Sequence, residues 1–320
     1  MILITGCAGF IGFHLSKHFL ESGNKVIGID NLNSYYSVNL KKSRLKLLQK
    51  NKNFKFFKFD LKKNFTLQHK LKPYKIRQVI HLAAQPGVRI SIKKPLNTLN
   101  ENLIPFINIL EIARIKKVKK FIYASSSSVY GDSKIYPFNE NDYKNIPVSV
   151  YGASKLSNEI IAQSYSKNFK IKCIGIRFFT VYGPYGRPDM AYYSFLERLK
   201  KNKSITVFNK GLMKRDFTFI DDVIHGIVLL SKVKIKNFHT IVNIGKGKPD
   251  NLMDLIKFVQ KYYNKKFKIK FTRSIPNGDI KKTFSNTNKA KKLINWKPKT
   301  NLKEGINKFV KWYKLSHGTK

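Results

Sequence analysis

The sequence predicts an α/β protein: a doubly wound parallel sheet followed by a smaller α/β region. Three observations carry this. Short β-rich runs alternate with helix-period segments through the first half of the chain. A glycine-rich turn joins the first run to the first helix pattern. Beyond "GPYGRPDM" (183–190) the pattern loosens into short strands and amphipathic helices.

Taken in order, "MILIT" is a short strand that starts at residue 1, and a helix pattern spans Phe10 to Leu20. "KVIGID" and "FKFFKFD" are the second and third strands. "QVIHLA" and "KFIYASS" follow, each after a helical segment. A helix begins near Tyr151 and leads into the strand "KIKCIGIRFF". Strands separated by helices imply βαβ units, a parallel sheet and helices on both faces. The later region reads as a strand "ITVFN", a helix "DDVIHGIVLLSK", a strand "TIVNIG" and helices "NLMDLIKFVQKYY" and "LKEGINKFVKWYKLS". No linker or internal repeat interrupts it. The expected boundary lies at 178/179, with part of 217–245 packing back on the first domain.

The chain has 320 residues, 42% hydrophobic and 25% charged, which is a globular composition. Its formal charge is +45. A polyanion surface would explain that charge, and so would compositional drift. Lysines are scattered over nearly every segment, with no single stripe, which favours drift and argues against nucleic acid as a partner. The excess still steers phosphate-bearing substrates. Cys7 and Cys173 sit in apolar runs without metal-ligand spacing, so both are expected reduced, in the cytoplasm. No apolar run reaches the ~20 residues of a membrane span, and "MILIT" is too short for a signal peptide. No His/Cys/Asp/Glu cluster has metal-ligand spacing, so no metal is expected.

Chemistry concentrates at a few places. "TGCAGFIG" (Thr5–Gly12) spaces Gly6, Gly9 and Gly12 at the strand-to-helix turn, where backbone amides and the helix N-terminus approach a pyrophosphate. Asp30 ends the second strand, placed to accept from an adenosine ribose and to favour NAD over NADP. Asp60 ends the third strand, where an adenine contact and an N-cap both fit. Ala83 and Ala84 allow close approach of a cofactor, and His81 reads as a core histidine. "ASSSSVYG" puts hydroxyls at the carboxyl end of a parallel strand, where open α/β sheets bind ligands. Tyr151 and Lys155, one helical turn apart, share a face. To act as a base the phenol must fall from its ordinary pKa of about 10 to near 7, which costs about 4 kcal/mol. The lysine, the helix N-terminus and a positive nicotinamide all favour that change. Asp221 and Asp222 read as caps of the helix after them.

"TGCAGFIG", "HLAAQPGVR", "ASSSSVYG" and "YGASK" resemble the extended short-chain dehydrogenase/reductase superfamily, with its Rossmann-like fold. Within it, "DNLNSYY", "AAQPGVRISI", "YASSSSVYG", "RFFTVYGPYGRPDM", "RDFTFIDD" and "EGINKFVKWY" resemble the UDP-glucuronate 4-epimerases, over nearly the whole chain. The resemblance implies Tyr151 as base, Lys155 as its tuner and ribose ligand, and Ser126 on the sugar 4-hydroxyl. Its coenzyme site also takes in Phe10, Ile11, Asn31, Leu61 and Leu82. Related dehydratases carry an acid pair where Ser127 and Ser128 stand, and related decarboxylases a Glu at Ser128. Galactose-type epimerases have Asn where Thr180 stands. The hydroxyls here leave elimination and decarboxylation without their usual acids, and Thr180, with "GRPDM" after it, points to a uronic acid. Arg187 and Arg215 are the candidates for its carboxylate and diphosphate, with a loop role open for Arg187 and an ion pair with Asp216 or Asp221 open for Arg215. Gly87, Val88 and Arg89 are expected beside substrate and nicotinamide.

The implied reaction is redox 4-epimerisation of a UDP-sugar with retained NAD, in a homodimer built on helices Asn97–Ala113 and Tyr151–Tyr165. Rival readings are a neutral UDP-hexose 4-epimerase, a UDP-glucuronate decarboxylase and a nucleotide-sensing binding protein of the same fold.

Overall fold

Alternation within single strands explains how the sheet is buried. Leu3, Val79, Phe121 and Cys173 join one apolar cluster, while their chain neighbours Ile4, Ile80, Ile122 and Ile174 join the other. Successive strand side chains point to opposite faces, so both faces must be covered. The computed structural model of the chain describes residues 1–142 and 146–318.

The strands are β1 (Ile2–Thr5), β2 (Val26–Asp30), β3 (Phe54–Lys58), β4 (Gln78–His81), β5 (Lys120–Ser126), β6 (Lys172–Phe178) and β7 (His239–Ile244). They form one parallel sheet in the order β7-β6-β5-β4-β1-β2-β3. Chain order reverses between β1 and β4, and at such a switch point a crevice opens beyond the strands' carboxyl ends. β7 is contributed from late in the chain and pairs with β6 from His239↔Cys173 to Ile244↔Phe178.

Helix α1 (Phe10–Glu21) follows β1, and α2 (Val38–Gln49) follows β2. One helix over Asn97–Ala113 is expected from the sequence. The structure corrects this to α3 (Pro95–Asn102) and α4 (Ile104–Ile115). Pro105 has no N–H to offer the carbonyl one turn back, so the ladder breaks there. Helix α5 (Val150–Phe169) is capped by Ser149, whose Oγ accepts from the Gly152 amide at 3.1 Å.

The C-terminal region adds three two-stranded pairs: Thr180–Tyr182 with Phe217–Phe219, Lys214–Arg215 with Asp250–Asn251, and Ile205–Val207 with Ile269–Phe271. Buried Asp216, between the first two of these pairs, accepts from the Gly247 and Ser285 amides, both at 3.0 Å, and from Ser285 Oγ at 2.6 Å. Helix α6 (Ile220–Lys232) starts before Asp221 and Asp222, which therefore do not cap it. Asp222 accepts instead from the Lys299 and Thr300 amides at 3.1 and 2.9 Å, tying down the approach to the last helix (Leu302–Ser316). Among the described residues no helix is long and apolar enough to cross a membrane. Nor, among them, is any group of three His, Cys, Asp or Glu placed to hold a metal ion.

Candidate active site

A cleft runs along the carboxyl ends of β1, β2, β4 and β5. Its floor is the turn after β1. Gly6 has φ +70°, and a Cβ there would lie 2.8 Å from the Ala83 amide nitrogen. At Gly12 a Cβ would meet the Gly6 carbonyl oxygen at 2.1 Å. Only glycine permits this approach of backbone to backbone. Helix α1 has Gly9 as its N-cap and no capping side chain, so its first amides are left for a ligand. Gly9, Phe10, Ile11 and Gly12 all line the cleft.

Asp30 closes one end. Its Oδ2 accepts from the Ala8 amide at 3.1 Å and its Oδ1 from the Leu32 amide at 2.8 Å. A carboxylate has about four acceptor sites, so sites remain for a ribose. Asp60 lines the same end and accepts from the Lys62 amide at 3.0 Å. The next helix is preceded by Lys63, so Asp60 is not its N-cap. Asn31, Leu61, Leu82, Ala83 and Ala84 complete the wall. His81 is buried with Nδ1 2.8 Å from Thr5 Oγ1, in the core rather than the cleft.

At the other end Ser126, Tyr151, Lys155 and Arg187 come together. Lys155 Nζ lies 5.8 Å from the Tyr151 ring centre and donates to the Ala124 carbonyl at 3.1 Å. Burial brings its pKa down to about 8. Burial also raises the Tyr151 phenol, against the opposing pull of Arg187 and a hydrogen bond from Ser126. The lowering expected from the sequence counts a positive nicotinamide beside the chain's own groups. Among the chain's own groups desolvation outweighs the neighbours at Tyr151, and at Lys155 it is the cause of the lowering.

Arg187 is oriented by Asp189 through two bonds, Nε to Oδ1 at 3.0 Å and Nη2 to Oδ2 at 2.6 Å. Tyr35 donates to the same carboxylate at 3.1 Å. Burial opposes the guanidinium charge, yet Asp189 outweighs it and holds the Arg187 pKa above its ordinary value.

The remaining expected substrate residues lie outside this cleft's lining. Ser126 Oγ donates to Ser128 Oγ at 3.2 Å and accepts from the Ser128 amide at 3.1 Å, and Ser127 and Ser128 open a 3-10 segment directly after Ser126. Thr180 opens the strand paired with Phe217–Phe219 and donates its amide to the Asp216 carbonyl at 3.0 Å. Arg89 follows Gly87 and Val88 at a helix start, and Arg215 sits on a short strand. Both arginines bond Asp279, at 2.9 and 3.2 Å. The ion pair weighed for Arg215 with Asp216 or Asp221 is thus made with Asp279. Sequence reasoning passed over Tyr35, Tyr36, Lys41 and Met190, which also line the cleft. Tyr35 and Tyr36 lay inside the quoted "DNLNSYY", which was their only signal.

A strand-end hydroxyl, a phenol and an ammonium beside a dinucleotide-shaped groove can exchange a proton with an alcohol carbon's hydroxyl as hydride moves. Comparison with known proteins gives matching chemistry. The family model described as GDP-mannose 4,6 dehydratase matches residues 3–309. The UDP-glucuronate 4-epimerase of Thermodesulfobacterium geofontis is 37% identical over 313 residues, covering 98% of this chain and 95% of that one. UDP-glucuronate 4-epimerase 4 of Arabidopsis thaliana is 37% identical, covering 98% of this chain and 75% of its own length. The crystal structure of UDP-glucuronic acid 4-epimerase from Bacillus cereus, in complex with UDP-glucuronic acid and NAD, superposes with a TM-score of 0.91 at 36% identity, over 99% of each chain.

Proposed function

The chain belongs to the GDP-mannose 4,6 dehydratase family, and from that premise we propose that it interconverts UDP-glucuronate and UDP-galacturonate through a 4-keto sugar, with NAD in the cleft. The similar epimerases support the substrate and coenzyme class. One observation within this chain carries the choice of reaction. Ser126, Tyr151 and Lys155 meet at the cleft's end, and the residues after Ser126 are hydroxyls where elimination or decarboxylation would want acids.

The residues fit the coenzyme. The Gly6–Gly12 cradle, which a Cβ would fill, takes the pyrophosphate. Asp30 and Asn31 take the adenosine ribose, Asp60 and Leu61 the adenine, and Leu82, Ala83 and Ala84 the nicotinamide end. Bound NAD supplies a reversible hydride acceptor for carbon 4. Tyr151 removes the 4-hydroxyl proton and later returns it, and Ser126 shares that proton by hydrogen bonding. Lys155 favours the phenolate and holds the nicotinamide ribose. The keto sugar turns about its diphosphate link between the two transfers, so the configuration inverts.

The 4-keto uronate is a β-keto acid that can lose carbon dioxide. Arg187, Thr180, Ser127 and Ser128 hold its carboxylate so that the breaking bond stays out of line with the ketone. Arg215 and Arg89 meet the diphosphate, with Gly87 and Val88 beside it. Residues 1–178, with part of 217–245 packed back on them, act as the coenzyme domain, and the rest of 179–320 as the substrate domain. Two buried free cysteines suit the cytoplasm. Leu96 on α3 and Ile160 on α5 are 70% and 61% exposed, and in a homodimer a second copy covers them.

Incubation with UDP-glucuronate tests the reading. UDP-galacturonate is the expected product, and a UDP-pentose or no conversion by NAD-loaded protein would refute it.

A further inference from the structure

Arg44 on α2 has none of its surface exposed, and no carboxylate pairs with it among the described residues. Its guanidinium instead joins three separate segments. Nη1 donates to the Ala8 carbonyl and to Tyr36 Oη, both at 2.8 Å. Nη2 donates to the carbonyls of Tyr185 at 2.7 Å and Gly186 at 3.1 Å. A buried charge without a counter-ion loses several kcal/mol of hydration, and four oriented oxygens on Nη1 and Nη2 offset part of that loss, while Nε has no partner among the described residues.

The three segments are the ones the reaction depends on. Ala8 belongs to the glycine turn, and its amide is bonded to Asp30. Tyr36 lines the cleft. Gly186 precedes Arg187. The Arg187 loop has little freedom of its own. Tyr185 is in the left-handed region at φ +55°, and a Cβ on Gly186 would lie 1.8 Å from Tyr192 Oη. A second pin comes from α1, where His14 Nε2 lies 2.9 Å from the Pro184 carbonyl. Burial brings that imidazole down to about 4, so at neutral pH it is uncharged and Nε2–H is the donor.

We propose that Arg44 is a positioning residue through which occupancy of the coenzyme cleft sets the placement of Arg187, making coenzyme and UDP-sugar binding cooperative. This rests on the functional reading above, in which the cleft holds NAD and Arg187 meets the sugar nucleotide. A ligand that orders the glycine turn orders Ala8. Arg44 transmits that order to Tyr185 and Gly186 because one rigid, planar group bonds both sides. Coupling of this kind is reciprocal and ordinarily amounts to about 5- to 150-fold in affinity.

The test uses the Tyr151→Phe protein, so that bound sugar does not turn over. UDP-glucuronate is titrated calorimetrically into NAD-loaded and NAD-stripped protein, and the ratio of the two dissociation constants is the readout. The expected ratio is about tenfold, tighter with NAD. Adding Arg44→Lys keeps a charge but cannot span four acceptors, and should bring the ratio within about twofold of unity. Tyr36→Phe removes one acceptor and leaves the guanidinium, so it should give an intermediate ratio even where Arg44→Lys fails to fold. A merely structural role would lower the melting temperature and leave the ratio unchanged. Binding of both ligands with a ratio near one in the parent, or an undiminished ratio in the variants, overturns the inference alone. Failure of the parent to bind either ligand removes the functional reading, and the inference falls with it.

Discussion

Glu159 and Arg177 meet through two parallel hydrogen bonds, 2.9 and 2.7 Å long, directly behind the end of β5. Ser125 donates to the same carboxylate, and Lys155, one turn earlier on α5, donates to the Ala124 carbonyl. Helix α5, with Tyr151, is thereby fastened to the strand that presents Ser126. Both charges are buried. Removing one partner strands the other, which costs about 3–5 kcal/mol. Glu159→Gln should therefore lose at least about 3 kcal/mol in urea unfolding, and an unchanged midpoint would show that the pair contributes no net stability.

Tyr151→Phe keeps the ring and deletes the proposed proton carrier. Turnover of UDP-glucuronate should fall by about 10²–10⁴-fold. The dissociation constant of UDP-glucuronate should change by less than about fivefold, since the lost hydroxyl acts in the transition state. A matching loss of affinity would recast Tyr151 as a binding residue.

Stability should decline as pH falls from 6.5 toward 4. Burial is the leading cause that holds His81 down to about 3 and His14 and His239 down to about 4. In the unfolded chain each takes a proton near 6.5. Across that window the unfolded state binds protons that the folded state refuses, so stability falls as acid is added. Each histidine contributes up to about 1.4 kcal/mol per pH unit. His81→Gln should flatten the dependence of the urea midpoint between pH 6 and 5, and an identical slope would remove His81 from the account.

Ionic strength should act on the encounter rather than on the chemistry. The chain carries a formal +45, and the proposed substrate bears a diphosphate and a carboxylate. Screening shortens the reach of that attraction to about 10 Å at 0.1 M salt. Raising NaCl from 20 to 200 mM should lower kcat/KM several-fold and leave kcat within about a factor of two. Equal salt dependence of both would place the effect inside the site.

Much of the cleft could be read from the chain because its parts are local. The glycine turn, Asp30 and the Tyr151–Lys155 pair depend on spacing within one or two elements. Arg44 gave no such signal. In sequence it is one more cation on an amphipathic helix, and its partners at Tyr185 and Gly186 lie 141 and 142 residues away. Asp279 likewise meets Arg215 across 64 residues and Arg89 across 190. The expected helix over Asn97–Ala113 failed at Pro105 for a local reason, a missing donor, that the apolar stripe concealed.

By itself the sequence determined the α/β class, the β1–α1 phosphate turn and the set of groups available for proton transfer, because periodicity and glycine geometry are properties of short segments. Only the tertiary structure decided that β7 completes the sheet, which acid pairs with which arginine, and how strongly burial acts on Tyr151 and Lys155. Those outcomes follow from distance and burial, and both are set by segments far apart in the chain.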